Sequence, residues 1–230
     1  MLLYRLAKQL LPLLLLSACV TTLTKPLDYH HGAVVETISS AISLSMHTSD
    51  TNMSGSGYLI FRRPDQLHLI ILSPFGTTMM EVFAIGDSIT LVYPNQSTAY
   101  VGGLDELPDK GGLQGWRMMR WVMESDPREG QPLSETVERI WKPGFSEKVT
   151  YKNGLVTVKE SANGDLVHYE KYSAVNGVPV AMELNLRNGR DDRIRITFDE
   201  PEVNIPLDDA IFIPQLKGFT VIPLSAIQGL

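Results

Sequence analysis

From Ala33 onward the chain alternates short apolar runs with turn residues, the pattern of β-strands joined by hairpins. The run 58–61 is closed by Arg62-Arg63-Pro64-Asp65, and 66–72 by Ser73-Pro74-Phe75-Gly76. The run 79–85 is closed by Gly86-Asp87, and 88–93 by Pro94-Asn95. Such short connections suit antiparallel neighbours and cannot hold the crossover that parallel strands require. Ser54-Gly55-Ser56-Gly57 is expected to form a Gly/Ser turn leading into the first of these strands. Downstream, Asn-Gly pairs at 153–154, 163–164, 176–177 and 188–189 each predict a hairpin turn, and together a meander. Alternation is clean there: Met182, Leu184 and Leu186 against Glu183, Asn185 and Arg187, then Ile194, Ile196 and Phe198 against Arg193, Arg195 and Thr197. One apolar and one polar face per strand is what a curved antiparallel sheet around an apolar interior needs. Strand 66–72 is different, because 68–72 is apolar on both faces, so something other than water must cover its outer side.

The β pattern breaks between Leu104 and Trp141, where helical spacing takes over. In 115–124 the polar residues Arg117, Arg120 and Glu124 share one narrow stripe, and Trp116, Met118, Met119, Trp121, Val122 and Met123 occupy the rest. Surface helices show the opposite proportion, so this helix is expected to lie between other apolar surfaces. Two roles remain open: plain core packing by Met and Trp, or a lid whose flexible Met side chains accommodate varied apolar ligands.

The first eighteen residues change the picture of where the chain resides. Arg5 and Lys8 precede an apolar stretch from Leu10 to Leu16, too short to cross a bilayer core of about 20 residues and laid out like a secretory signal peptide. Leu16-Ser17-Ala18-Cys19 matches the bacterial lipobox and contains the only cysteine of the chain. Residues 1–18 are therefore expected to be removed. Cys19 then carries S-diacylglycerol and an N-acyl group, and these are the only attached groups expected. Several acyl chains give stable membrane attachment where one does not. In lipoproteins that resemble this one, Asp after the cysteine retains the protein in the inner membrane, so Val20 implies the periplasmic face of the outer membrane. Residues 19–32 lack periodicity and form the expected tether, with 33–230 as a single domain.

Loss of Arg5 and Lys8 moves the formal charge from −6 to −8. A mildly acidic chain without a Lys/Arg cluster is a poor candidate for binding nucleic acid or for electrostatic adhesion to anionic lipid. With Cys19 acylated, no thiol remains for a disulfide or for catalysis. The G-x-S-x-G, H-E-x-x-H, P-loop and dinucleotide motifs are absent. His30-His31 lacks a third ligand at useful spacing, His47, His68 and His168 are isolated in β-runs, and Asp191-Asp192 and Asp199-Glu200 fall at strand ends. No enzyme, metal or diffusible cofactor is expected. The one exposed signal is Phe75, a large ring in a Pro-Gly turn where polar residues usually sit. It either folds back on the rim of the sheet or contacts a membrane or partner.

Several of these segments together resemble the LolB family of the lipoprotein-localisation system. The resemblance is carried by the lipobox at Cys19, by LHLIILSPFGTTMMEVFAIGDSITLV, LQGWRMMRWVMESDP and VPVAMELNLRNGRDDRIRITFDEPEV, and by the closing DDAIFIPQLKGFTVIPL. It implies a mainly β (α+β) fold: an incomplete antiparallel β-barrel with a helical lid over an apolar cavity. The expected lining of that cavity is Leu69, Ile71, Leu91, Trp116, Met118, Trp121, Met182, Leu184, Leu186, Ile194, Ile196 and Phe198, with strand parity in the first half left open, so that Ile70 and Leu72 are the alternative to Leu69 and Ile71. It would receive acyl chains of lipoproteins handed over by a soluble LolA-like carrier. Pro74, Phe75 and Gly76 match the family's Pro-apolar-Gly loop, whose apolar residue delivers cargo into the membrane. The resemblance thus implies a monomeric lipoprotein receptor or insertase. The same fold also suits a lipid- or glycolipid-binding lipoprotein, or a structural adaptor with a closed core.

Overall fold

The computed structural model describes residues 27–48, 52–107, 114–130 and 133–227, with the side chains of 114–117 excepted. The signal segment, Cys19, most of the tether and the side chain of Trp116 lie outside these residues.

Two antiparallel meanders make one sheet. The first comprises β1 (Thr37–His47), β2 (Asn52–Arg62), β3 (Gln66–Leu72), β4 (Thr78–Ile85), β5 (Ser88–Tyr93) and β6 (Thr98–Gly103). The second comprises β7 (Glu135–Lys142), β8 (Phe145–Lys152), β9 (Leu155–Ser161), β10 (Leu166–Val175), β11 (Val178–Arg187) and β12 (Arg193–Val203). Pairing of β1 with β12 fuses them, and a short β13 (Thr220–Pro223) adds to the far edge. The resulting order is β13-β6-β5-β4-β3-β2-β1-β12-β11-β10-β9-β8-β7. Because β13 and β7 do not meet, the barrel is incomplete, as the family resemblance implied. β13 runs parallel to β6, the one departure from antiparallel pairing.

All four Asn-Gly pairs lie in hairpin connections of the second meander. At 153–154 and 176–177 both residues have positive φ, which matches the twist of the flanking strands. Ser54–Gly57 is not a turn. These residues belong to β2 and pair with Ser45–Ile42 of β1, while Ser56 and Gly57 also pair with Leu72 and Ile71 of β3. The reason is steric: a Cβ at Gly57 would stand 1.9 Å from the Ile70 carbonyl oxygen. Glycine here permits close strand approach rather than chain reversal.

The concave face holds one continuous apolar core, with alternate residues of β1–β5 and β10–β12 pointing inward. Within it sits α1 (Gln114–Met123), the one α-helix among the described residues. Met119, Trp121, Val122 and Met123 of α1 are buried in the same cluster as the strands. The both-sided apolar character of β3 also has its explanation. After β12 the chain crosses the outer face, where the 3-10 turn Asp209–Phe212 packs against β3 and β4. Phe212 is buried beneath the Arg62 guanidinium, 4.8 Å from its ring centroid. Leu216 and Phe219 cover Phe83, Val92 and Ala99. Under this strap His68 stacks on Phe83 at 4.0 Å and bonds Glu81 at 3.0 Å.

Candidate functional site

Strand parity assigns the residues proposed to line a cavity. Leu69 and Ile71 of β3 and Leu91 of β5 point inward and are buried. So do Leu184 and Leu186 of β11 and Ile196 and Phe198 of β12, while Met182 and Ile194 are partly buried against the same core. Cross-strand pairing places Leu69 opposite Leu59 and Val82, and Leu184 opposite Ile196 and Tyr169. Trp121 is buried and Met118 half-buried, so α1 fills the space these residues enclose. The apolar interior is occupied by the protein's own helix.

A mixed cleft of about 530 Å³ opens beside that helix, within the size range of small-molecule sites. Met118, Trp121, Trp141 and Phe145 form its apolar wall, and Lys142, Asp165 and Arg190 stand on its polar side. Phe145 makes edge contacts with Trp121 at 5.7 Å and Trp141 at 5.2 Å, the geometry aromatic quadrupoles favour.

The helix is held by charge as well as by packing. The last carbonyls of an α-helix lack intrahelical donors. Here the Lys159 ammonium donates to the carbonyl oxygens of Trp121 and Glu124, each at 2.7 Å. The Tyr169 hydroxyl donates to that of Val122 at 2.8 Å. A cation at this end also complements the helix dipole. Glu147, buried beside Lys159 at 3.5 Å, accepts from Trp121 Nε1 and Arg139 Nε, both at 2.5 Å. Trp141 Nε1 donates to Glu124 at 2.5 Å. Burial lowers the Lys159 pKa to about 8, against the attraction of Glu147, and pushes the Tyr169 phenol well up.

Lys159 and Glu147 were missed as functional residues. Both fall on interior positions, but the register shifts where Val156 and Val158 oppose Tyr151 and Thr150, leaving Thr157 as an extra residue. That bulge inverts the parity of β9. A lysine in the run 155–160 therefore looks like an outward charge in the sequence.

The Phe75 turn has its own internal frame. Ser73 N–H donates to the Thr77 carbonyl at 2.8 Å and Gly76 N–H to the Ser73 carbonyl at 2.9 Å. Ser73 Oγ accepts from the N–H groups of Phe75 and Thr77, both at 3.2 Å. Gly76 takes φ of +80°, the left-handed region that glycine reaches without strain. Pro74 fixes the first corner. Phe75 is 93% exposed at the tip of this cradle, so the alternative that it folds back on the rim is not realised. Nearby on the outer face, Tyr58 and Met79 are also exposed.

The sequence matches the family model for the outer membrane lipoprotein LolB over residues 37–200. The chain belongs to the LolB family. No curated protein matches it significantly. Among solved structures, a DUF1329 family protein from Desulfovibrio piger aligns with TM-score 0.58 at 12% identity, covering 78% of this chain and 90% of that one. An outer membrane lipoprotein-sorting protein domain from Vibrio parahaemolyticus aligns at 0.56 and 10% identity, covering 76% and 88%. A LolA superfamily protein from Nitrosomonas europaea aligns at 0.50 and 10% identity, covering 81% and 93%. At such identities these structures establish the fold alone. Membership of the LolB family places the chain among lipoprotein-sorting, lipid-binding proteins rather than enzymes.

Proposed function

We propose that this LolB-family protein is an outer-membrane receptor and insertase for lipoproteins. Anchored at the periplasmic face through acyl groups on Cys19, the monomer accepts acyl chains from a soluble LolA-like carrier and passes them to the bilayer. The observation that carries this reading is Phe75, a fully apolar ring held 93% exposed by a hydrogen-bonded turn. A side chain of this kind gains its burial only against another molecule, at about 25 cal/mol per Å² of apolar area removed from water.

The interior supplies the complementary surface. Acyl methylene groups would replace α1 side chains against Leu69, Leu91, Leu184 and Ile196, each buried CH₂ contributing about 0.8 kcal/mol. Met118, Met119 and Met123 face that interior, and flexible thioethers repack readily around a guest. The clamp at the helix C-terminus would keep α1 attached while its packing changes.

Transfer assays test the proposal. Phe75→Glu should retain cargo binding and fail to insert lipoproteins into membranes. Unimpaired insertion by a stably folded variant would refute it. The filled interior also suits an adaptor with a closed core, and mass spectrometry separates the two: acyl species co-purifying with the protein favour the receptor, and their absence favours the adaptor.

A further inference from the structure

The strand register builds a basic row that the linear sequence conceals. On the outer face, His47 of β1 pairs with Arg193 of β12, and Arg193 pairs with Arg187 of β11. In the adjoining row Ser45 pairs with Arg195, Arg195 with Asn185, and Asn185 with His168. These side chains, with Leu166 of β10, line an open groove of about 800 Å³. Two arginines placed directly opposite one another on adjacent strands repel. Their nearby carboxylate, Asp191, is 61% exposed and lies 2.9 Å from Arg193 and 3.9 Å from Arg187. Arg195 is shared with Asn185 and Glu183, and Glu170 is the acidic residue on the groove wall. The hairpin 187–195 carries four arginines and two aspartates in a chain whose net charge is −6.

We propose that this groove binds the phosphate groups of anionic membrane phospholipids. Guanidinium groups match phosphate oxygens in a planar fork, and the repulsion between Arg187 and Arg193 is relieved when an anion sits between them. Position favours a lipid source over an acidic protein. His47 ends β1 opposite Asn52, and the Phe75 turn leaves β3 on the far side of β2, after Leu72 pairs with Ser56. Basic row and aromatic tip thus occupy one rim of the sheet, an apolar element beside cations as at a membrane surface. The chain also reaches. His30 N–H bonds the Gly177 carbonyl at the opposite end of β11 from Arg187, a strand length of roughly 30 Å. The residues from Cys19 to His30 span at most about 38 Å, enough to bring the groove to the anchored leaflet.

The inference rests on the membrane attachment proposed above and is tested without cargo. The full chain with Ser43→Cys, an exposed position below the groove, is labelled with an environment-sensitive fluorophore and reconstituted in nanodiscs whose lipids carry headgroup nitroxides. Phosphatidylcholine discs are compared with discs containing phosphatidylglycerol. Quenching should require phosphatidylglycerol, and R187Q/R193Q should weaken apparent affinity for it roughly thirtyfold. That variant removes a repulsive pair and should fold normally. Equal quenching in phosphatidylcholine, or no change in the double variant, would overturn the proposal. A label that responds to an added acidic peptide but not to phosphatidylglycerol would assign the groove to a protein partner and overturn it too. Normal phosphatidylglycerol dependence alongside failed lipoprotein transfer would sink only the receptor reading. Absent dependence with intact transfer would sink only this one.

Discussion

The two meanders treat the interior in different ways. The concave face of β1–β5 carries no charge and is apolar along Ile38, Leu59, Leu69, Val82 and Leu91, all at or below 1% exposure, with Ser40 bonded to the backbone among them. The concave face of β7–β10 carries Arg139, Glu147, Lys159 and Tyr169, which grip the C-terminal end of α1. One half offers a surface to which any apolar group can bind, and the other fixes which helix end stays in place. An interior built wholly on the first pattern would bind α1 without orienting it. A helix needs directed donors at its terminal carbonyls to be held in one register.

Breaking the polar half should cost most. Lys159→Met leaves two helix carbonyls and Glu147 without their buried cation, and loss of one partner from a buried pair typically costs about 3–5 kcal/mol. Urea unfolding measures this, and a loss below about 1 kcal/mol would show that packing alone retains α1. Leu91→Ala tests the apolar half. Leu91 is fully buried, so truncation should cost about 2–4 kcal/mol while leaving the Trp121 environment, read by fluorescence, close to that of the intact protein. Release of Trp121 by both variants would erase the distinction between the halves.

pH sharpens the comparison from the charged side. The folded-state pKa of Lys159 is about 8, below its ordinary 10.5. Between these values the unfolded chain binds more protons than the native one, so stability rises with pH through that window. The wild type should therefore gain stability relative to Lys159→Met from about pH 8 to about 10.5, measured as the difference between two denaturation series. Tyr169, raised by burial, acts oppositely: its contribution is complete below the unfolded phenol pKa and is lost as pH climbs toward the folded value. Tyr169→Phe should flatten that alkaline loss. Smallest of all is the effect of Phe75→Glu on stability. An exposed tip has little packing to lose, and surface substitutions stay within about 0.5 kcal/mol. A melting shift of several degrees would contradict the exposed geometry.

Much of this architecture was legible in the chain. The four Asn-Gly turns and the alternation through 182–186 and 194–198 specify strands and their buried faces, because side-chain direction along a strand has period two. The inverted proportions of 115–124 likewise announced a helix enclosed by apolar surface. The Phe75 turn needed only Pro, Gly and a misplaced aromatic. Three features were not legible, each for a local reason. Ser54–Gly57 resembled a turn because small residues serve tight reversals and close strand contacts alike. Lys159 resembled a surface charge because one bulge residue, Thr157, reverses strand parity. Arg187, Arg193 and His47 resembled scattered charges because 146 residues separate His47 from its cross-strand partner Arg193.

The sequence by itself determined that this chain makes antiparallel hairpins with one apolar side and one buried helix, since periodicity and turn chemistry are local and act within about ten residues. Only the tertiary structure decided that β1 meets β12, which fuses the two meanders and places His47 beside Arg193. It also decided that the closing strap covers the outer face of β3, and that Lys159 reaches the end of α1. Those contacts join residues far apart in the chain, and the free energy that selects them comes from burial and pairing across the assembled sheet, which no local pattern encodes.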